Sequence, residues 1–245
     1  MDQTHAKKID SMLPSDAVVI DVGGGAAPFF RTNWVIDALS YDESGGLLKE
    51  PERAMPVSFS RETWVEFDIC DRQPWPFADK QFDFAVCSHV LEDVRDPVWV
   101  CSEISRIAKA GYIETPSRVV EQSLGVEHPC YAGYYHHRWL VSVADGQLQF
   151  RHKPHLLHVN PEAIVARVGF WKTIDPAHEV LAHYWQDQLD YCEVLEFDES
   201  KTLQHLCDWA SDARKSNNLL TRPTQTFSKR LRRAWYHLRL RLAAR

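Results

Sequence analysis

The sequence lacks the features that mark several protein classes. It contains no run of 18 or more apolar residues, so it predicts no membrane-spanning helix. Its six cysteines include no Cys-x-x-Cys pair, which argues against a zinc ribbon, a dithiol motif or a small disulfide scaffold. The opening stretch, MDQTHAKKIDSML, lacks the apolar segment of a signal peptide, and we expect a cytoplasmic protein.

Acidic residues are absent from the last part of the chain. Ten of the 28 Lys and Arg residues follow Asp212, where there is no Asp or Glu, so the first 212 residues carry 18 basic and 34 acidic side chains and a net charge of −16. An acidic globule is a poor general binder of nucleic acid, and no nucleic-acid partner is expected. The basic tail suits an anionic surface instead.

The first half of the chain has the pattern of an α/β protein. The length of 245 residues with 44% hydrophobic and 25% charged residues fits one folded domain. Asp96 as N-cap and Pro97 as first residue predict a helix to Ala108. Short apolar runs predict strands at 16–21, 34–37, 63–68, 82–87 and 111–116. Strands that alternate with helices or loops predict a doubly wound, mostly parallel sheet.

The pattern changes after Pro116. Asp145-Gly146 predicts the turn of a β-hairpin between residues 138–143 and 147–152, and Asn160-Pro161 predicts the start of a short helix. Residues 179–185 and 189–197 are interpreted as a closing antiparallel pair, although 177–188 could equally be helical. Apolar residues from Leu203 to Ala210 recur at helical spacing.

A glycine turn follows the first predicted strand. Gly23, Gly24 and Gly25 come directly after Asp21-Val22, where glycine lets the backbone approach a ligand. At the carboxyl end of a parallel sheet this is where nucleotides and related cofactors bind. A phosphate-binding dinucleotide site is the alternative, but it needs a longer following helix than the interval from Pro28 to Trp34 allows.

Carboxylates end the next two predicted strands. Asp37 lies 16 residues after Asp21, where it can accept hydrogen bonds from ribose hydroxyls. Asp68 and Ile69 end the third strand, where a carboxylate and an apolar side chain could hold an adenine ring. These placements favour an adenosyl ligand without phosphate.

The chain therefore resembles the class I S-adenosylmethionine-dependent methyltransferases, in the broad group with a strand–His-Val-Leu-Glu segment. The resemblance extends over residues 16–116 and rests on the segments 18–25, 34–37, 67–69, 75–83 and 85–92. It implies a Rossmann-like sheet of seven strands and S-adenosyl-L-methionine as cofactor.

The resemblance also implies roles for individual residues. Asp21 with Gly23, Gly24 and Gly25 would hold the methionine end of the cofactor, Asp37 the ribose, and Asp68 with Ile69 the adenine. Ser88 and His89 would line the wall near the sulfonium. Ala27 stands where a third glycine is frequent in such proteins, and the first helix is abbreviated.

The predicted organisation is a single methyltransferase domain, 1–215, followed by a linker and tail, 216–245. The domain would comprise a cofactor core at 14–116, an acceptor lid and hairpin insertion at 117–160, and closing elements at 161–215.

Histidines are the candidate general bases for a hydroxyl acceptor. His89 follows the fourth strand and is expected to face the cleft, and six of the twelve histidines lie between residues 128 and 158, His136 and His137 among them. With the interleaved tyrosines they favour a small hydroxylated or glycan acceptor, methylated on oxygen by in-line displacement. Some relatives bind a divalent ion with a cluster like His89, Glu92 and Asp93, but no metal site is predicted.

Two other classes of function remain open. The chain could be a non-catalytic module or subunit with the cofactor fold in a membrane-associated assembly. A nicotinamide-dependent oxidoreductase is disfavoured by the short first helix.

The tail has the pattern of an amphipathic helix. Apolar residues from Phe227 to Leu242 recur at helical spacing, Trp235 among them, and Lys or Arg residues fill most of the other face. This is typical of a helix on an anionic membrane, and 226–245 is the predicted contact. Docking on the acidic domain or on a partner protein is the alternative.

Deletion of residues 223–245 is therefore expected to abolish sedimentation with anionic liposomes, because the basic and apolar side chains are removed together. Affinity for S-adenosylmethionine should not change. Undiminished liposome binding by the truncated protein would contradict the prediction.

Overall fold

The computed structural model describes residues 1–25, 27–48, 58–166 and 174–216. The predicted tail, 226–245, and the linker before it from residue 217 lie outside the described residues, so the membrane contact stays a prediction. Among the helices described, none is both long and apolar enough to cross a membrane.

Six α-helices and nine β-strands are described. In chain order they are α1 (Gln3–Met12), β1 (Val19–Val22), β2 (Trp34–Asp37), α2 (Tyr41–Leu48), β3 (Trp64–Glu66), β4 (Phe84–Ser88), α3 (Pro97–Ile107), β5 (Ala110–Pro116), α4 (Arg118–Glu121), β6 (Trp139–Ala144), β7 (Gln147–His152), α5 (Leu156–Val159), β8 (Val180–Gln186), β9 (Tyr191–Glu193) and α6 (Glu199–Ser216). Short 3-10 helices span Arg61–Thr63, Pro161–Ala163 and Pro176–His178.

The main sheet has the predicted α/β architecture. Its strand order is β3-β2-β1-β4-β5-β8, with the first five strands parallel and β8 antiparallel to β5. Six strands are seen in the described residues, where the resemblance implied seven. The carboxyl ends of β1, β2, β4 and β5 meet at one edge, which is where the candidate site is built.

Side chains alternate between two cores on the faces of this sheet. Ile20, Ala85 and Ile113 belong to the core on the α3 side. Val19, Val86 and Tyr112 form a second core with Ala6 and Ile9 of α1. Because side chains two residues apart in a strand share a face, Asp21, Ser88 and Glu114 fall on the α1 side.

Hydrogen-bonding side chains begin the helices on both faces. Asp96 Oδ1 accepts a hydrogen bond from Trp99 N at 3.1 Å, which confirms the predicted cap of α3. Asp2 Oδ1 accepts one from Thr4 N at 2.8 Å and begins α1, a helix that the sequence analysis did not predict.

The segment between β1 and β2 contains no helix in its described residues, 23–25 and 27–33. The sequence analysis expected an abbreviated first helix there. Phe29 instead packs in the same core as α1, so the helix that covers this face of the sheet comes from before β1.

The predicted closing pair is wrong in its partners. β8 pairs along all of β5, from Ala110↔Gln186 to Pro116↔Val180. A Cβ atom on Gly111 would lie 2.6 Å from the carbonyl oxygen of Ala85 and 2.7 Å from Trp185, so the bare glycine lets the Trp185 ring pack across the strand. β9 joins the second sheet.

The second sheet has the order β6-β7-β9. β6 and β7 form the predicted hairpin, whose turn residues Asp145 and Gly146 have φ values of +52° and +80°. β9 pairs with β7 in parallel and not with β8.

Candidate cofactor site

The glycine turn lies at the carboxyl end of β1. Gly23 and Gly25 have φ values of +69° and +50°, and Gly23 N donates to Ile36 O at 2.8 Å, so the turn is joined to β2. A Cβ atom on Gly23 would lie 2.5 Å from Val90 Cγ2. Both the backbone angle and the close neighbour therefore require glycine here.

Asp37 holds the turn from the end of β2. Its Oδ2 accepts a hydrogen bond from Gly25 N at 2.8 Å, and its Oδ1 accepts one from Leu39 N at 2.7 Å. The residue is buried, with 7% of its surface exposed. A carboxylate oxygen can accept more than one hydrogen bond, so both atoms keep acceptor capacity for a hydroxyl.

Asp21 holds the chain that leaves the turn. Its Oδ2 accepts a hydrogen bond from Phe29 N at 2.7 Å. A Cβ atom on Gly24 would lie 3.2 Å from Asp21 Cγ and 3.2 Å from Pro28 Cγ, which is tighter than ordinary contact. The turn is thus shaped around a buried carboxylate.

A cavity of about 220 Å³ lies against this turn. Four predicted site residues, Asp21, Gly24, Ser88 and His89, belong to its wall. The other lining residues are Met1, Ala27, Phe29 and Val86. The structure thus brings together residues from the ends of β1 and β4, and Asp37 and Gly25 adjoin them through the turn.

His89 lies between two carboxylates. Its backbone has a φ of +59° and its N–H donates to Glu114 O at 2.8 Å. The ring Nε2 is 3.1 Å from Glu114 Oε1, and Nδ1 is 3.6 Å from Glu92 Oε1. Glu92 is buried, and its Oε2 has no hydrogen-bond partner among the described residues. Two acceptor-only neighbours favour an imidazolium.

Glu114 is the fully buried carboxylate of this cluster, which the sequence analysis did not select. Its Oε1 accepts hydrogen bonds from Ser88 Oγ and Asp2 N, both at 3.0 Å, and its Oε2 accepts one from Tyr112 Oη at 2.5 Å. Burial raises the pKa of Glu114, but hydrogen bonds from His89 and Tyr112 outweigh burial and lower it to about 2. A charged residue inside the predicted apolar strand 111–116 was the available signal.

The same contacts decide the charge of His89. Burial lowers its pKa, but hydrogen bonds to Glu114 and Glu92 outweigh burial and raise it to about 9. A general base needs a free lone pair, which an imidazolium lacks. His89 is therefore unsuited to act as the general base at neutral pH.

Asp68 and Ile69 are not brought to the cavity. Asp68 Oδ2 is 2.9 Å from Arg95 Nη1, and its Oδ1 accepts a hydrogen bond from Cys70 N. The Asp68 carboxylate is half exposed, whereas Ile69 is buried in the core on the α3 side. Their predicted contact with adenine stays a prediction.

His137 and His136 have different surroundings. His137 is buried, and its Nδ1 lies 2.8 Å from Glu121 Oε1. The other oxygen of Glu121 accepts a hydrogen bond from Lys153 Nζ at 2.6 Å. His136 is partly exposed, and its Nδ1 is 3.9 Å from Glu127 Oε2. Neither histidine lines the 220 Å³ cavity.

The histidine segment adjoins the site through the backbone. Arg138 N and Trp139 N both donate to Glu92 O, at 2.8 and 3.1 Å. His137 therefore directly precedes a residue, Arg138, whose backbone is hydrogen-bonded to Glu92. Within the described residues, no group of three or more His, Cys, Asp or Glu side chains is arranged to hold a metal ion.

Comparison with known proteins gives a family match for the segment that carries this edge of the sheet. Residues 20–113 match the family model described as a methyltransferase domain, from β1 to β5. The matched segment contains the glycine turn, Asp37, Ser88 and His89. The cofactor of such a domain is S-adenosylmethionine. A comparison with curated protein sequences gave no match.

Solved structures similar to the chain share only its general fold. One is an S-adenosylmethionine-dependent methyltransferase from Mesorhizobium loti, with 15% identity, 61% of this chain and 64% of that chain covered, and a TM-score of 0.36. Another is the YcgJ protein of Bacillus subtilis, with 17% identity, 47% and 52% covered, and a TM-score of 0.34. The chain spans about half to two thirds of the length of these structures.

The residues of the matched segment fit S-adenosylmethionine. Gly24 contributes only backbone to the cavity wall, because a Cβ atom there would lie too close to Asp21 and Pro28. Asp37 offers a buried carboxylate beside that turn. Carboxylates at Asp21, Glu92 and Glu114 outnumber the two cations, the His89 imidazolium and the N-terminal ammonium 3.7 Å from Glu114, and an excess of negative charge suits a sulfonium cation.

The contribution of the His89–Glu114 pair to stability is expected to depend on pH. The folded pKa of His89, about 9, exceeds its ordinary value of 6.5, so this contribution is complete below pH 6.5 and is lost as pH rises through 9. The difference in melting temperature between the wild type and His89→Gln should decrease across that range, measured by differential scanning fluorimetry.

Ser88→Ala is the matched control, because Ser88 donates to the same carboxylate but does not titrate. Burial and the Glu114 hydrogen bond raise the pKa of Tyr112, which stays neutral in this range. The Ser88→Ala difference should therefore be constant. A constant or increasing difference for His89→Gln would contradict the prediction.

Proposed function

We propose that this protein transfers a methyl group from S-adenosylmethionine to a hydroxyl of a small-molecule or glycan acceptor. The observation that carries the proposal is the glycine turn with its cavity, bounded by Asp21 and His89, inside the segment that matches a methyltransferase domain. A sulfonium supplies an activated methyl group when the cofactor is bound. The protein then needs chiefly to align the acceptor and remove its proton.

Asp37 is the proposed ribose ligand. Its two oxygens are fixed by Gly25 N and Leu39 N, so its position is set before any ligand arrives. A carboxylate held in this way loses little conformational entropy when it accepts hydrogen bonds from a diol. Asp21 and the turn residues Gly23–Gly25 would contact the methionine end.

His137 is the proposed general base. His137 Nδ1 lies 2.8 Å from Glu121 Oε1, and in the tautomer that donates from Nδ1 to this carboxylate the lone pair is on Nε2. A carboxylate that fixes the tautomer of a histidine in this way is a common arrangement for base catalysis. The link from Arg138 N to Glu92 O supports a location beside the cleft.

His89 has a different proposed role. As an imidazolium between Glu92 and Glu114 it would orient both carboxylates and donate a hydrogen bond, and it would not accept the proton of the acceptor. The association of residues 226–245 with an anionic membrane is part of the same proposal, supported by the sequence pattern alone.

A non-catalytic module is the alternative. Cofactor binding separates the two functions, because the module predicts no micromolar affinity for S-adenosylmethionine or its demethylated product.

Replacing Asp37 tests the cofactor site. Asp37→Asn removes the charge from the proposed ribose ligand, and hydrogen bonds to a charged group contribute about 1.5–3 kcal/mol. We expect binding of S-adenosylhomocysteine to weaken by about 10- to 150-fold in isothermal titration calorimetry.

Asp83→Asn is the matched control at the opposite edge of the sheet. Asp83 also accepts a backbone hydrogen bond, from Val18 N at 2.9 Å, and pairs with Lys109 at 2.8 Å. Its replacement should leave the affinity for S-adenosylhomocysteine unchanged. Equal affinities of the wild type and Asp37→Asn would rule out the ribose role, and no binding by the wild type would rule out the function.

Replacing the two neighbouring histidines tests the base. With tritiated S-adenosylmethionine and a panel of hydroxylated small molecules as acceptors, His137→Gln should lower kcat by about 10²–10⁴-fold with little change in KM. His136→Gln should behave like the wild type, because its ring is partly exposed and 3.9 Å from Glu127. Equal effects of the two substitutions would be evidence against a base at His137.

A further inference from the structure

Arg118 is a buried cation just beyond the carboxyl end of β5. It follows β5 as the first residue of α4, and 7% of its surface is exposed. Its Nε donates to Gln122 Oε1 at 2.6 Å, Nη1 is 2.9 Å from His205 Nε2, and the guanidinium lies 4.5 Å from the centre of the Trp209 ring. Its Nη2 is buried without a hydrogen-bond partner among the described residues.

No carboxylate of the described residues forms an ion pair with Arg118. Burial and the nearby Arg151 lower the pKa of Arg118 to about 9. Burial and both arginines lower the pKa of His205 to about 4, so this histidine is neutral. Within the part of the chain that the structure describes, the charge of Arg118 therefore has no counter-ion.

Lys153, the other buried Lys or Arg of the described residues, is paired, with its Nζ 2.6 Å from Glu121. The partly buried Arg106 is paired as well, with its Nη2 2.7 Å from Glu103. A buried charge without a counter-ion is costly, and proteins rarely retain one without a use. Arg118 differs from Lys153 and Arg106 in having no carboxylate partner among the described residues, so an anion bound from outside would supply the missing counter-ion.

A cavity of about 270 Å³ has Arg118 in its wall. Most of the remaining wall is apolar, formed by Val119, Val141, Val143, Leu181 and the Trp209 ring. Ser117 and Ser142 supply hydroxyl groups. Such a wall suits a small organic molecule with an apolar body and one charged group.

The cavity opens at the same edge of the sheet as the cofactor site. Ser117 follows Pro116, the last residue of β5, and the lining residue Val180 pairs with Pro116. Glu114 lies two residues before this pair on the same strand. A ligand held here would therefore lie at the same edge of the sheet as the candidate cofactor site.

We propose that this cavity binds the anionic group of the methyl acceptor, a carboxylate or a phosphate, through Arg118. The assignment of the ligand as acceptor rests on the proposed methyltransferase function, whereas the binding of an anion does not. Arg118 would donate a charge-assisted hydrogen bond to the anion, and the apolar wall would contact the body of the ligand.

Anion probes test the site on the full chain. Phenylacetate and phenyl phosphate present the two candidate anions on an apolar body, phenylacetamide is the neutral analogue, and inorganic phosphate lacks the body. At ionic strength held constant with chloride, at least one aromatic anion should raise the melting temperature of the wild type, and phenylacetamide should not. Whichever aromatic anion raises the melting temperature shows whether the site prefers a carboxylate or a phosphate. The response to inorganic phosphate shows whether the apolar body of the ligand is needed for binding.

Substitution of Arg118 locates the effect. Arg118→Met should weaken binding of the active anion at least tenfold in calorimetry, because it removes the positive charge that would pair with the anion. Arg118→Lys should retain part of the binding. Arg106→Met, the matched control, should lower the melting temperature by leaving Glu103 unpaired, but should keep the response to the anion.

Three results would overturn the proposal: no stabilisation of the wild type by either aromatic anion beyond chloride, an equal response in Arg118→Met, or equal stabilisation by phenylacetamide. If Arg118→Met does not fold, the comparison of charged and neutral probes on the wild type and Arg118→Lys decides. Binding of S-adenosylhomocysteine, which Arg118→Met should retain, separates this proposal from the wider function. If the wild type does not bind S-adenosylhomocysteine, the methyltransferase function is rejected. If it binds S-adenosylhomocysteine but does not respond to the anions, only the anion site is rejected.

Discussion

The buried carboxylate of Glu114 is the interaction on which the candidate site depends. It is the common acceptor for the end of β4 through Ser88 and His89, for the neighbouring strand residue Tyr112, and for the start of α1 through Asp2. A buried carboxylate is costly unless its lone pairs are used, and here four donors use them. One charge thus fixes two strands and a helix around the cavity.

Much of this edge of the sheet could be predicted from the sequence, because local signals determine it. The glycine triplet after an apolar strand and the carboxylate of Asp37 at the next strand end have short-range meanings, and the structure joins them by the Gly25–Asp37 hydrogen bond. The cap at Asp96 and the turn at Asp145-Gly146 were predicted for the same reason. Each depends on backbone geometry within a few residues.

The errors concern contacts between distant parts of the chain. That β8 pairs with β5 depends on the space above Gly111, which only the folded sheet defines. The partners of Glu114, and the lack of a counter-ion for Arg118 within the described ranges, are likewise properties of burial. A sequence does not show which charges will be enclosed together. Asp68 fits its predicted position in the sequence, yet its side chain pairs with Arg95.

The origin of the helix over this face has a consequence for the order of folding. Asp2 and Glu114 are 112 positions apart, so their hydrogen bonds form only after β5 has joined the sheet and the first residues have returned to it. Contacts of such long range slow the search for the native state. The parallel strands can therefore assemble as a core before α1 docks, and the wall beside Ser88 and His89 is completed last. A newly made chain would acquire its stable scaffold earlier than its ligand pocket.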